Sequence, residues 1–473
     1  MAAFEGRQRR DTAAALRRLV ESGAPLGPRW PALARLGMAI GEAQLAIAAS
    51  DAWARLEPAD LSRRVTHAAL LAQLGKVEDA IESLRPLPPT PEVDHLLGAL
   101  HAQIGDPATA LEHLRRAASR LPPAQAVWTW LAAVDIKRFT NADEDYRRIE
   151  ALTNAPMPDA CQSAAHYALG KALLDQGDTE KAYAHYAKGA AIMARLEPDD
   201  GRAQSRFVDA LIAGFDDALL GRLKASTCDS RRPIFVLGPP RSGTTLVEQI
   251  LTSHSAVSGG AELSLFTVAA MALPDFSPAA VERHDRRGDP DPWGEIGRDY
   301  LHLLEQRFGA TGRVVDKTLN HGRILGLLAQ ALPAARFIWL DRDIGDVAWS
   351  CFRTRFATGM AWTWSLESIG RYLGDEALLR RHWASILGDR LLILRYEDLV
   401  SDPGNHTRAL LAHAGLSEEP AVFTPHLQQR AVQTASVSQV RQPIHRNAVG
   451  SAKALPGQLD AMYAAYERRL SGA

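Results

Sequence analysis

Residues 233–245 read PIFVLGPPRSGTT: a short apolar run, then a loop of glycine, proline, arginine and hydroxyl residues, before a helical pattern over 246–251. Strand, glycine loop, helix is the arrangement that aims backbone N–H groups and a helix N-terminus at a phosphate. Gly238 to Thr245 also fits the outer frame of the nucleoside triphosphate loop, GxxxxGK[ST], except that Thr244 stands where the lysine belongs. A triphosphate-cleaving enzyme uses that lysine to reach the β and γ phosphates, and the next hydroxyl to bind magnesium. Here the basic residue is Arg241, inside the loop, which suits a terminal phosphate or phosphosulfate.

Working outward, further apolar strands are expected at 313–316, 336–340 and 391–395, separated by helical patterns such as 323–331 and 344–356. Such alternation means a parallel sheet covered by helices, with ligands at the carboxyl ends of the strands. Arg241, Lys317, Arg342 and Tyr396 each follow one of these strands.

Upstream the pattern changes. Glycine is followed five residues later by alanine in four helical contexts: Gly41 with Ala46, Gly75 with Ala80, Gly105 with Ala110, and Gly177 with Ala182. The spacings, 34, 30 and 72, lie near multiples of 34. Gly98 and Gly170 stand seven residues before the third and fourth turn glycines, and Pro58 and Pro122 occupy closing positions. A glycine supplies the permissive backbone at a turn between two helices, and an alanine lets them approach. These offsets resemble the tetratricopeptide repeat, with 128–152 in the register of a degenerate copy. The resemblance implies a helical solenoid whose groove suits an extended peptide or a partner helix; packing on the other half of the chain, or forming a homodimer, are its other possible uses. Apolar residues Phe207, Leu211, Phe215, Leu219 and Leu220 recur at helical spacing and predict one connecting helix, and 226–232 reads as a polar boundary loop. The expected division is 1–198 repeat region, 199–230 connecting helix and linker, and 231–473 α/β domain.

Composition narrows the function classes. The chain has 473 residues, 46% of them apolar and 23% charged, as expected for a globular protein with real cores. Its formal net charge of -1 gives no whole-chain attraction to nucleic acid or anionic membrane, so an anion site must be local. Cys161, Cys228 and Cys351 form no CxxC pair, which argues against a disulfide framework or thiolate zinc site and fits a reducing cytoplasm. No stretch reads as a spanning segment, and 1–19 carries charges where a signal peptide needs its apolar core. Lysine is scarce, 8 against 46 arginines, and after residue 225 only Lys317 and Lys453 occur.

PIFVLGPPRSGTTLVEQILTSHSAVSGGAE, from Pro233, resembles the 5'-phosphosulfate loop of sulfotransferases. FIWLDRDIGDVAWSCF, from Phe337, resembles their 3'-phosphate motif, with Arg342 and Ser350 eight residues apart. RYEDLVSDP, from Arg395, and SVSQVRQPIHRNAVG, from Ser436, are similar to two more blocks of the tyrosylprotein sulfotransferase-like branch, including its repeat-containing bacterial members. The likeness covers about residues 231–455. It implies an α/β fold, an N-terminal all-α repeat solenoid followed by a parallel-sheet sulfotransferase domain with a phosphate loop.

The resemblance also implies 3'-phosphoadenylyl sulfate (PAPS) as donor, an acceptor hydroxyl on a protein tyrosine or another peptide or glycan, and no metal. Pro240, Arg241, Ser242, Gly243, Thr244 and Thr245 would cradle the 5'-phosphosulfate. Arg342 and Ser350 would hold the 3'-phosphate, and Tyr396 would flank the adenine or that phosphate. Ser436, Gln439, Val440 and Arg441, with Lys453 beyond, would close over the nucleotide. Glu262, twenty-one residues after Arg241, matches the general base, and Lys317, Ser436 and Arg241 match the groups that stabilise the transition state and leaving group. His254 is the rival base, but ten residues of helix at about 1.5 Å each put it roughly 15 Å from the loop; His321 is at most a supporting residue.

Two departures blur the nucleotide contacts. Arg353, Thr354 and Arg355 compete for a basic place after the 3'-phosphate serine, and Ile344 stands where proline or glycine is usual. The stretch 274–300 is either a lid or acceptor loop or a plain insertion. Trp362 and Trp364, beside Arg371 and Tyr372, read as core packing or as an acceptor pocket. Two other functions remain open from sequence: a nucleoside triphosphate-dependent phosphotransferase, and a non-catalytic repeat scaffold.

Overall fold

The computed structural model describes residues 8–472 except 24, 141, 142, 261, 357, 358, 429 and 432–439. Its N-terminal region is all helical. After a first helix, Arg9–Glu21, the chain forms successive hairpins: Trp30–Ala39 with Ala43–Leu56, Leu61–Gln73 with Val77–Leu84, Pro91–Ile104 with Pro107–Ala118, Pro123–Val134 with Glu144–Leu152, and Asp159–Asp175 with Thr179–Leu196.

The glycine–alanine pattern has its expected physical basis. Gly41, Gly75, Gly105 and Gly177 all take the left-handed backbone, φ +77 to +85°, where a Cβ would be strained. Ala46, Ala80, Ala110 and Ala182 are 0% exposed where the paired helices meet. The glycines seven residues earlier allow close approach: a Cβ on Gly98 would lie 2.6 Å from Leu114 Cγ, and one on Gly170 2.9 Å from the Tyr186 ring.

The second half holds a five-stranded, all-parallel sheet: β1 Pro233–Leu237, β2 Val257–Gly259, β3 Arg313–Asp316, β4 Arg336–Asp341 and β5 Leu391–Arg395, in the order β2-β3-β1-β4-β5. Every side chain of β1 is buried, as a central strand covered on both faces requires. The chain leaves β1 toward β3 on one side and toward β4 on the other, which opens a crevice at the carboxyl end of β1. Sequence patterning missed β2, whose three residues are too few to show alternation.

Several boundaries differ from expectation. The connecting helix is two helices, Gly201–Gly214 and Asp217–Arg222, because Asp216 starts the second by accepting the Leu219 N–H. It is no passive linker: Val208, Leu211, Phe215 and Leu219 enter one core with Phe235, Leu237 and Trp383 of the α/β half. The stretch 274–300 is largely helical rather than a loop. Ser277 and Asp291 cap two proline-started helices, Pro278–Asp285 and Pro292–Phe308, which bury Trp293 and Tyr300. The helix expected over 344–356 ends at Phe352, as Ile344–Phe352.

The two halves pack along much of their length. Near the start, buried Arg9 donates to Glu42 at 2.9 Å and to Asp299 at 2.8 Å, and Leu303 lies against Gly41. Midway, Arg441 donates to the Gln103 carbonyl at 2.7 Å. At the last hairpin, Tyr186 meets the Trp349 ring edge-on at 5.6 Å, within a core that joins Tyr167, Tyr186 and Met193 to Trp349, Trp362 and Trp364. Trp362 stacks on Tyr372 at 3.7 Å and Trp364 donates to Glu197, so these buried tryptophans serve as packing residues. Among the described residues no helix is long and apolar enough to cross a membrane.

Candidate active site

The loop after β1 turns by placing Gly238, Arg241 and Gly243 at positive φ, +132, +69 and +105°. Gly243 must be small, since a Cβ there would come 2.5 Å from the Tyr396 ring. Thr244 and Thr245 then open the helix Thr244–Thr252, whose first N–H groups face the loop. Among the described residues only three non-glycines take positive φ: Arg241, Ser264 and Asn320. They follow β1, β2 and β3, beside Arg241, Glu262 and Lys317, three of the four side chains expected to be catalytic. Strained backbone concentrated at one place is a mark of a site held for its chemistry.

A cavity of about 250 Å³ opens over this loop. Arg241, Gly243, Thr244, Thr245, Arg342, Ser350, Tyr396 and Val440 line it, which brings together most of the nucleotide residues expected from sequence. Arg241 Nε donates to Ser350 Oγ at 2.9 Å. Arg342 donates to the Arg241 carbonyl at 2.9 Å and to the Ala448 carbonyl at 2.5 Å, and its guanidinium lies 4.4 Å from the centre of the Tyr396 ring. Among the described residues Arg342 Nε is buried without a partner, a donor suited to the oxygens of a phosphate; Ser242 Oγ is also unpaired there but lies outside the cavity lining. Burial, with Arg353 next in effect, lowers the Arg241 pKa to about 10, so it stays cationic at neutral pH. Arg241, Arg342 and Arg353 line the same cavity, a local concentration of positive charge suited to an anion.

Other residues are placed differently. Pro240 lies behind the cavity, its carbonyl 3.5 Å from Cys351 Sγ. Arg441 serves as a strut to the helical region, through the Gln103 carbonyl, and Lys453 is exposed and outside the lining. Ser436 and Gln439 lie outside the described residues. The contest after Ser350 is decided by the helix ending at Phe352: Arg353 turns into the cavity, whereas Arg355 lies 4.7 Å over the Trp128 ring.

Beyond the loop, Lys317 Nζ donates to Glu262 Oε1 at 3.2 Å. The lysine side chain is 2% exposed and the glutamate 44%, so a buried ammonium faces a carboxylate open to an incoming group. The fully buried Asp316 sets the geometry beneath them. It accepts from Tyr300 Oη at 2.7 Å and from Thr318 N and Oγ1 at 3.0 and 2.6 Å, and Thr318 Oγ1 accepts the Ser264 N–H at 2.9 Å. The segments carrying Lys317 and Glu262 are thereby tied to each other. His254 is engaged elsewhere, 3.4 Å from Ser417 Oγ and 3.5 Å from Glu419. His321 is buried near Asp316, and burial lowers its pKa.

Sequence reading missed Asp346. Fully buried, it accepts from Gly450 N at 2.7 Å, Ser451 Oγ at 3.0 Å and Ala452 N at 2.9 Å, which moors the C-terminal segment over the cavity. An aspartate one turn after Arg342 was its only sequence signal. Losing three charge-assisted bonds exposes unpaired N–H groups at a cost of about 2–4 kcal/mol. Asp346→Ala is expected to lower the melting temperature by several degrees and to weaken adenosine 3',5'-bisphosphate binding at least about tenfold. Unchanged nucleotide affinity in calorimetry would show that the mooring does not shape the cavity.

Comparison with known proteins follows this geometry. Residues 233–420 match the Sulfotransferase family. An uncharacterized protein of Aquifex aeolicus (strain VF5) is 30% identical over 332 residues, 67% of this chain and 43% of that protein, so the chain spans less than half of that relative's length. Among solved structures, the sulfotransferase domain from the Synechococcus PCC 7002 olefin synthase is 21% identical, covering 52% of this chain and 97% of that one, with a TM-score of 0.38. Sulfotransferase STF1 from Mycobacterium tuberculosis H37Rv is 15% identical, covering 64% and 98%, with a TM-score of 0.28. The parallel-sheet half of this chain is a sulfotransferase-family domain, joined to an all-helical N-terminal region.

Proposed function

We propose that this protein transfers the sulfuryl group of PAPS to an acceptor hydroxyl. The observation that carries this reading is the pairing of buried Lys317 with accessible Glu262 beside a phosphate loop that has Arg241 but no lysine. As the acceptor oxygen attacks sulfur, its proton passes to Glu262, the new O–S bond forms, and the bond from sulfur to the phosphate oxygen breaks. Adenosine 3',5'-bisphosphate leaves with the electron pair. Lys317, Arg241 and Ser436 meet the charge that develops on the sulfuryl and bridging oxygens. Arg342, Ser350 and Arg353 hold the 3'-phosphate.

The finer assignments rest on residue likeness. The hairpins are read as tetratricopeptide repeats and the domain as tyrosylprotein sulfotransferase-like, with boundaries at 198 and 230. The acceptor is a hydroxyl on a peptide, protein or glycan. A second cleft, of about 480 Å³, supports acceptor entry from the helical side. Gln44, Gln73 and Lys76 line one wall, and Gly260, Leu263 and Arg430 the other, next to Glu262.

Isothermal calorimetry tests the donor. Adenosine 3',5'-bisphosphate is expected to give saturable heat and magnesium ATP none; the reverse result would replace sulfuryl transfer by phosphoryl transfer. Radiolabelled PAPS incubated with lysate of the source cells then identifies the acceptor.

A further inference from the structure

The last carbonyls of a helix have no partner within it, and they carry the negative end of the helix dipole. Where Pro91–Ile104 turns into Pro107–Ala118, two of them are satisfied locally: Gly105 N–H donates to the Ala102 carbonyl at 3.1 Å and Asp106 N–H to the His101 carbonyl at 2.9 Å. The Gln103 carbonyl is met from the other half of the chain, by Arg441 Nη2 at 2.7 Å. The same nitrogen donates to the Arg430 carbonyl at 3.0 Å. Gly105 leaves room for this guanidinium: a Cβ there would lie 2.5 Å from Arg441 Cζ. At Gly177, a turn glycine with the same φ of +85°, a Cβ would meet nothing within 4 Å.

Arg441 is the neighbour of Val440, and that adjacency ties the hairpin to the cavity over the phosphate loop. Val440 is buried and lines the cavity, and Gln442, His445 and Ala448 line it further along. From Gln442 to Ala448 the backbone is neither helix nor strand, so no ladder of hydrogen bonds fixes this wall from within. Ile444 packs on the core of the sheet, between two end anchors. At one end Asp346 moors 450–452 and Arg342 reaches the Ala448 carbonyl. At the other end stands Arg441. Arg430, whose carbonyl it holds, donates through its own Nε to Gln249 at 3.1 Å, on the helix that Thr244 and Thr245 open. Ala431 beside it packs against the Leu71, Leu97 and Leu100 core of the helical region.

We infer that Arg441 is a positioning residue of the donor cavity and that the turn at Gly105 is the seat that holds it. The helical region thereby sets one wall of a site whose phosphate loop lies in the sulfotransferase-family domain. Arg441 touches two carbonyls and is not among the residues that line the cavity, so its influence on the nucleotide passes through Val440 and the residues after it. With the guanidinium gone, or displaced from its seat, the start of the wall is released, and binding must then supply the free energy of ordering it.

This inference rests on the reading that the cavity takes the nucleotide, and one calorimetric series distinguishes the two failures. Adenosine 3',5'-bisphosphate is titrated into the full-length wild type, Arg441→Ala, Gly105→Asn and Gly177→Asn. Asparagine tolerates the left-handed backbone, so at Gly105 it chiefly fills the seat of the guanidinium and at Gly177 it fills only open space. Arg441→Ala and Gly105→Asn are each expected to weaken binding about five- to twentyfold, and Gly177→Asn less than about twofold. A loss in Arg441→Ala with wild-type affinity in Gly105→Asn would mean that Arg441 meets the nucleotide directly, and would overturn the seat. Wild-type affinity in both would overturn the positioning role. An equal loss in Gly177→Asn would overturn it too, as the mark of a general loosening of the hairpins. No heat with the wild type would instead overturn the donor reading.

Discussion

Glu262→Gln is expected to abolish measurable sulfuryl transfer, a loss of at least about a hundredfold and up to about ten-thousandfold, while binding of adenosine 3',5'-bisphosphate stays nearly intact. An amide has the shape of the carboxylate but cannot take the proton that the attacking hydroxyl must lose. The split between turnover and binding is what identifies a base: Glu262 touches Lys317, not the lining of the nucleotide cavity. With its side chain 44% exposed, its replacement removes little packing, so the melting temperature should move by only a degree or two. Wild-type turnover in this variant would remove Glu262 from the mechanism and leave Lys317 with a structural partner only.

Arg342→Ala is expected to weaken adenosine 3',5'-bisphosphate binding by about a hundredfold, equivalent to about 2.7 kcal/mol. Three functions meet in this one side chain. It donates to the Arg241 carbonyl, donates to the Ala448 carbonyl of the C-terminal segment, and lies against Tyr396. Among the described residues its Nε is buried and unpaired, available to the nucleotide. Arg342→Lys should recover only part of the loss, because an ammonium cannot span two carbonyls and a phosphate in one plane. Affinity within about threefold of wild type for Arg342→Ala, measured by calorimetry, would move the 3'-phosphate away from this residue.

How much was legible beforehand depended on the range of the interaction. The phosphate loop could be read because glycine, arginine and threonine at fixed offsets express purely local needs: positive φ at Gly238 and Gly243, and hydroxyls at a helix start. The hairpin turns were readable for the same reason, through Gly41, Gly75, Gly105 and Gly177. Arg441 and Lys453 were assigned to the nucleotide by position in a motif, yet Arg441 is drawn to the Gln103 carbonyl of a distant hairpin and Lys453 stays exposed. The break at Phe215 was invisible to apolar periodicity, which continues across it, because Asp216 acts through a hydrogen bond rather than through hydrophobic spacing.

Residue order alone determined the parallel-sheet class, the carboxyl-end location of Arg241, Lys317, Arg342 and Tyr396, and the helical pairing of the first half. Each follows from periodicity or backbone preference within a few tens of residues. Only the tertiary structure decided that Asp346 moors 450–452 and that Arg353 rather than Arg355 enters the cavity. These depend on contacts between segments separated by a hundred residues or so. Long-range packing leaves no period in the chain, because the partner of each group is chosen by how whole helices and strands fit together.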